Sequence, residues 1–284
     1  MVASTRKFAF VALAAVGLSV GLADVAKAAV LPVTNLGFNV FSGTFTAPKT
    51  QFSVAAPTGW SVGSGGNLIG VGNQNSETSS AGVYAVYNGT GFSNTVPAGV
   101  NFYQADGNPI FESTISQSIS GLTAGTPYTL QFQQAAGQQD SPSFVQDTSE
   151  QWLVYLGKGG IHSDCSTDPC TVAGTAGNEF NASTLMHTPG MGNVDWNSVT
   201  MSFTLDSSEL SNIQVDGTGT AILTFLAWGN LGSQVNEPPT VFLEGVNTTP
   251  IPTPEPASLT LLGVGVLGVA GMVRRRRGKR NVAG

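Results

Sequence analysis

Tyr128-Thr129-Leu130-Gln131-Phe132-Gln133 places three large apolar side chains on one parity and three polar ones on the other. Successive side chains of an extended chain point to opposite faces, so this period of two predicts a half-buried β-strand. The same alternation recurs at Val199-Thr200-Met201-Ser202-Phe203-Thr204-Leu205. Trp152 to Leu156 and Ala221 to Trp228 are apolar on both parities and read as strands covered on both faces.

Outward from these four runs the chain keeps the same character. Phe111, Ile115 and Ile119 recur every four residues, and the Ser, Thr and β-branched residues between them favour a strand over a helix stripe. Val100 to Tyr103 predicts another, stopped by Asp106-Gly107-Asn108-Pro109, and Gly82 to Tyr87 one more, stopped by Asn88-Gly89. Val241 to Val246 predicts the last. Near the start, Phe38, Val40 and Phe45 are candidates for burial in a β-prone segment, while Gly63 to Gly72 reads as turns. Ala135 to Glu150 reads as a polar loop, and the stretch from the cysteines to Trp196 as a long irregular connection, functional or poorly ordered. Eight to ten strands without an amphipathic helix predict an all-β fold, an antiparallel two-sheet β-sandwich of jelly-roll type.

The two ends differ from this body. Arg6 and Lys7 precede an uncharged run from Phe8 to Ala23, and Ala26-Lys27-Ala28 offers the small residues a signal peptidase reads, which predicts a signal peptide over 1–28 cut between Ala28 and Ala29. At the other end Ala257 to Val273 carries no charge across 17 residues. As a helix this run reaches about 25 Å against a hydrocarbon layer of about 30 Å, just enough for one transmembrane helix. Arg274, Arg275, Arg276 and Arg277 behind it are too costly to desolvate and mark a basic cytoplasmic tail over 274–284. Pro254-Glu255-Pro256 cannot continue a helix and lies in a Pro-rich linker, 248–256, between the span and a 29–247 ectodomain.

Charge excludes one class of partner. The body from 29 to 247 holds two cations, Lys49 and Lys158, against 15 of the 17 acids, a balance of −13. Nucleic-acid affinity is built from cationic contacts, so no nucleic acid is expected. Cys165 and Cys170 are the only cysteines; in an oxidising compartment they predict a disulfide closing a small loop. Trp60, Trp152, Trp196 and Trp228 are the possible sugar platforms. Trp152 and Trp228 lie within apolar runs and read as core, whereas Trp196, between Asp195 and Asn197, is the surface candidate for ligand binding. Asp140, Asp147, Asp164 and Asp168 offer oxygens to a structural Ca²⁺ but lack EF-hand spacing and read first as solvated loop carboxylates; no other cofactor is expected. His162 and His187 have no nucleophile elbow nearby, and no pair of carboxylates is marked, so no enzyme is expected.

Pro254-Glu255-Pro256, a short Leu/Gly/Val-rich span and an arginine cluster, in that order at the C-terminus, resemble the PEP-CTERM sorting signal of Gram-negative bacteria that make exopolysaccharide. The resemblance implies recognition by exosortase, a membrane-embedded cysteine transpeptidase-like enzyme, and removal of the anchor during export across the inner membrane. Ile115 to Ile119, Pro127 to Phe132 and Pro238-Pro239-Thr240-Val241-Phe242-Leu243-Glu244-Gly245-Val246 resemble the galactose-binding-like jelly rolls of carbohydrate-binding modules. There the last strand usually has Asp-Asn where this chain has Glu244-Gly245, so a cation site at that place does not carry over. The reading is an exported surface or matrix protein, associated with exopolysaccharide or biofilm and attached briefly to the membrane. Its alternatives are a lectin-like module with a defined sugar and an extracellular glycoside hydrolase.

Overall fold

The computed structural model describes residues 28–35, 37–42, 52–53, 56–63, 70–73, 101–111, 114–138, 146–213, 216–230 and 239–247. In chain order the strands are β1 (Ala29–Val30), β2 (Phe52–Ser53), β3 (Ser61–Val62), β4 (Gly70–Asn73), β5 (Asn101–Asp106), β6 (Thr114–Thr123), β7 (Tyr128–Gln138), β8 (Thr148–Gly157), β9 (His162–Asp164), β10 (Thr171–Ala173), β11 (Asn178–Ala182), β12 (Met186–Thr188), β13 (Asn193–Phe203), β14 (Thr218–Gly229) and β15 (Pro239–Asn247). A 3₁₀ turn spans Pro109–Phe111. None of the helices described is long and apolar enough to cross a membrane.

The fold is all-β. One sheet runs β13-β7-β15-β5-β4-β2 and the facing sheet β11-β8-β14-β6-β3, with β12 continuing β11's side of β8. A third pair, β9 and β10, forms a hairpin outside both. The pairings within both sheets are antiparallel except that β1 runs parallel to β7. Successive long strands alternate between the sheets, β5, β7, β13 and β15 in the first and β6, β8 and β14 in the second, so nearly every connection crosses the sandwich. This is the two-sheet antiparallel architecture that the alternating runs predict.

The core fills the space between the sheets with one parity from each strand. Tyr128, Leu130, Phe132 and Ala136 of β7 face Trp152, Val154 and Leu156 of β8 and Leu223 and Phe225 of β14. Val199, Met201, Phe203 and Leu205 are buried as their alternation predicts. Ile115 and Ile119 are buried on β6, which is strand and not helix, whereas Phe111, expected on the same strand, ends the 3₁₀ turn before it and is half-buried. The β6–β7 turn is tied by Gly125 N–H to Leu205 O (2.8 Å) and by Thr123 N–H to the Tyr128 hydroxyl (2.8 Å). Phe38 takes a positive φ of 52°, uncommon for a bulky residue, and its ring lies 5.5 Å from Trp60 and 5.9 Å from Tyr103.

Several expectations need correction. Val40 is 57 % exposed, not buried, because the left-handed Phe38 reverses which side chains turn inward. Within the glycine run, Gly70–Asn73 is a strand pairing with β5, and Val71 is buried. The polar loop shrinks at both ends, since β7 continues to Gln138 and β8 starts at Thr148. The connection from the cysteines to Trp196 contains β10, β11, β12 and the start of β13, and β9 lies directly before it. Phe45, the strand expected over 82–87 and Asn88-Gly89 lie outside the described residues, as do 1–27 and everything after Asn247.

Candidate functional site

The residues expected to bind ligand, Asp195, Trp196 and Asn197, sit at a break in register. Val194 pairs with Ala136 and Asn197 with Gln134, so one extra residue is inserted in β13 at that point. Such a bulge re-aims the inserted side chain. Trp196 turns onto the outer face of the first sheet and packs against Phe102 (5.8 Å), Phe242 (6.2 Å) and Ala135, with 5 % of its surface exposed. It is therefore a buried wedge and not an exposed platform, which corrects the surface expectation. Asn197 Oδ1 accepts from Gln134 Nε2 at 3.2 Å, and its own amide donates to Asp195 O at 3.3 Å. Trp60 and Trp152 are also buried; Trp152 donates its indole N–H across the sandwich to Phe242 O at 3.0 Å. Trp228 is half-buried against the cluster of Leu153, Tyr155, Ile161 and Leu226. Among the described residues the exposed aromatic ring is Phe180, 52 % exposed and 4.9 Å from Tyr155.

A polar array that the sequence reading did not find occupies one end of the interior. Gln134 and Gln138 keep the inward parity of Tyr128, Leu130 and Phe132 on β7, and Thr148 and Glu150 keep that of Trp152 on β8. All four are buried. The Thr188 hydroxyl donates to Glu150 Oε1, whereas Glu150 Oε2, Thr148 Oγ1 and Gln134 Oε1 have no hydrogen-bond partner among the described residues. An uncompensated charge in such a place is costly, and the group takes up a proton instead. Burial pushes the Glu150 carboxyl up to about 8, with the Thr188 hydroxyl pulling it back, so it is largely protonated at pH 7. Gln138 laces loops over this end: its Nε2 donates to Gln146 O (2.8 Å) and its Oε1 accepts from Met191 N (2.6 Å). Extending the alternation six residues past Phe132 on β7 and four residues back from Trp152 on β8 would have revealed the array.

Asp106 is a second buried acid, at the end of β5. Burial pushes it up to about 7, opposed by the Asn108 N–H that its Oδ1 accepts at 2.8 Å. Its parity on β5 is opposite to that of Tyr103 and Ala105, so it faces outward from the first sheet while Glu150 faces the interior. Asp106 and Glu150 therefore do not oppose each other across a cleft, and the third buried acid, Glu244 of β15, has the parity of Phe242 and faces outward with Asp106. Burial also raises the Tyr103 phenol.

The cysteines form the disulfide expected of them, closing the tip between β9 and β10. Asp164 at this tip is held below the usual carboxylate range, chiefly by the Ser166 N–H and hydroxyl. His162 Nδ1 lies 2.9 Å from Gly160 O, and His187 is exposed on β12. No group of three His, Cys, Asp or Glu side chains placed to hold a metal occurs among the described residues. Asp140, Pro254, Glu255, Pro256 and Arg274 to Arg277 lie outside those residues; Ala28 and Ala29 are the first two within them.

Among solved structures the chain is similar to TmCBM61 in complex with β-1,4-galactotriose, at 14 % identity over 75 % of this chain and 93 % of that one, TM-score 0.34. The K2 cleaved adhesin domain of Lys-gingipain gives 14 % identity, 75 % and 96 % coverage and TM-score 0.36. For the enzymatically active domain of bacteriophage CBA120 tailspike protein 4 the identity is 10 % and the TM-score 0.31, and the likeness covers 72 % of this chain but only 21 % of the tailspike chain. No curated protein matches in sequence. Residues 252–277 match the model of the PEP-CTERM protein-sorting motif, and the chain carries that sorting signal at its C-terminus.

Proposed function

We propose that this chain is an exported, non-enzymatic protein of the cell surface or extracellular matrix, held by its C-terminal span until exosortase removes the tail, and associated with exopolysaccharide. The observation that carries the reading is the match of residues 252–277 to the sorting motif, shortly after β15, which ends at Asn247. A body charge of −13 supports attachment to uncharged polysaccharide over direct attachment to an anionic one. The buried acids support a structural role, since none of Asp106, Glu150 and Glu244 is exposed to a substrate. Replacing Pro254, Glu255 and Pro256 with alanine is expected to leave the anchor in place and the protein on the cell. Mass measurement of the extracellular wild-type form decides the matter; an intact Arg274 to Arg277 segment in that form overturns the reading.

A second reading, a lectin-like module, draws on the exposed Phe180 ring backed by Tyr155. It requires saturable binding of the 29–247 body to a defined glycan that is lost in Phe180→Ala. Flat signals across a glycan array leave the structural role standing, and reducing-sugar release by the same body would instead favour a hydrolase.

A further inference from the structure

We infer that the tail-bearing protein stands on the membrane by one particular pole of the sandwich, the end built by the β6–β7 turn and the loop after β13, and presents the opposite pole outward. The inference rests on the reading of the C-terminal run as a membrane anchor.

The register of β7 supplies the argument. β13 covers one edge of β7 from Tyr128 to Gly137. Both β1 and β15 must therefore lie along the other edge, where Asn247 is opposite Gln131 and Val30 opposite Thr129. β1 and β15 meet on one edge, two residues apart. A continuation of β15 would reach Thr129, but that position is filled: Ala29 N–H donates to Pro127 O (2.8 Å) and Leu31 N–H to Thr129 O (3.1 Å). The chain that leads to the N-terminal apolar run and the chain that leads to the C-terminal one thus leave the sandwich at the same pole.

The lengths allow little freedom. Only six residues separate Asn247 from Pro254, so the sorting motif lies within about 25 Å of the end of β15 even when fully extended. About 10 Å of that is used in passing the three residues of β7 between Gln131 and its start at Tyr128. The opposite pole is the whole length of β7 away, 11 residues or about 35 Å.

The pole nearest the membrane carries exposed Asp206 and Asp216 and half-buried Glu209. Asp206 follows Leu205, whose carbonyl holds the β6–β7 turn, and Asp216 precedes Thr218, which pairs with Thr123. These carboxylates repel anionic headgroups, so contact with the membrane is imposed by the tether and ends when the tether is cut.

The native cysteines are joined to each other, so one added cysteine gives a single thiol to label. Ser207→Cys reports the inner pole and Ile110→Cys the outer one; both positions are exposed. The full chain bearing a fluorophore at either site is placed in anionic liposomes whose headgroups carry a nitroxide quencher. Loss of most of the Ser207 signal with little loss at Ile110 is expected, and the 29–247 body labelled the same way should lose neither. Equal quenching at both sites, or stronger quenching at Ile110, overturns the orientation while leaving the anchor reading intact. Quenching of the free body at Ser207 overturns the claim that the tether imposes the contact. Failure of the full chain to join the liposomes overturns the anchor reading and the orientation together.

Discussion

Glu150 is the residue with the clearest consequence for stability. Its carboxyl has an ordinary value of 4.5 and a folded value of about 8, so the folded protein holds a proton that the unfolded chain has released over that window. The favourable contribution is complete below about pH 4.5 and is lost as pH rises towards 8, at a slope approaching about 1.4 kcal/mol per pH unit for one proton. Asp106, raised by burial to about 7, acts with the same sign. Glu150→Gln keeps an acceptor for the Thr188 hydroxyl without the charge. Its melting temperature should fall less than that of the wild type between pH 5 and pH 8.5, and an equal fall in both proteins would contradict the assignment. Trp196→Ala tests a different point. Loss of the indole from its contacts with Phe102 and Phe242 should cost about 3 to 5 kcal/mol in chemical denaturation, as for a core aromatic, and an unchanged midpoint would show that the ring is not the wedge described. Flanking Asp195 and Asn197 made Trp196 look like surface. Its burial depends on a register shift against β7, and no local pattern in β13 records a shift that is defined by a partner strand.

Among the elements, the long alternating and fully apolar runs were legible because each carries its own period. What escaped were the strands whose inward slots hold polar groups, as at Gln134, Gln138, Thr148 and Glu150, and the short ones whose pairing comes from tertiary contacts. The β9–β10 hairpin is of the second kind. Three residue pairs and the disulfide form it, and its Ile161 and Val172 cover Leu153, Tyr155 and Leu226 on the outer face of the second sheet. Gly174 behind it has φ +74°, and a Cβ there would fall 2.0 Å from Gly160 O, so only glycine fits. Replacing both cysteines with serine removes a short covalent loop worth about 2 kcal/mol in the chain-entropy picture. Amide exchange should then quicken over His162–Asp164 and Thr171–Ala173 while β8 and β14 stay protected. Loss of protection across β14 would mean that the hairpin supports the whole sandwich. The nearby edge strands are guarded by side chains: Asn181 donates to Ser202 O (3.1 Å) and Glu179 accepts from Thr204 N (2.7 Å), which knits β11 to the end of β13 and blunts both edges.

At the scale of the molecule, the order of strands links folding to export. β15 is the last strand among the described residues yet lies between β7 and β5 in the middle of its sheet. It buries Val241, Phe242 and Leu243, and its Phe242 carbonyl receives the Trp152 indole from the facing sheet. Without β15 the first sheet divides into β13-β7 with β1 on one side and β5-β4-β2 on the other, and both new edges expose unpaired backbone. On the proposed export route the sandwich is expected to close only after the chain has crossed the membrane almost to the sorting motif, which makes closure a late step. A chain of residues 29–247 should unfold cooperatively in denaturant with one midpoint. A chain of residues 29–238 should show neither that transition nor slow amide exchange in β7, although it lacks only nine residues. If the shorter chain keeps the transition with a modestly lower midpoint, β15 is an addition to a finished sheet, and folding need not wait for the end of the chain.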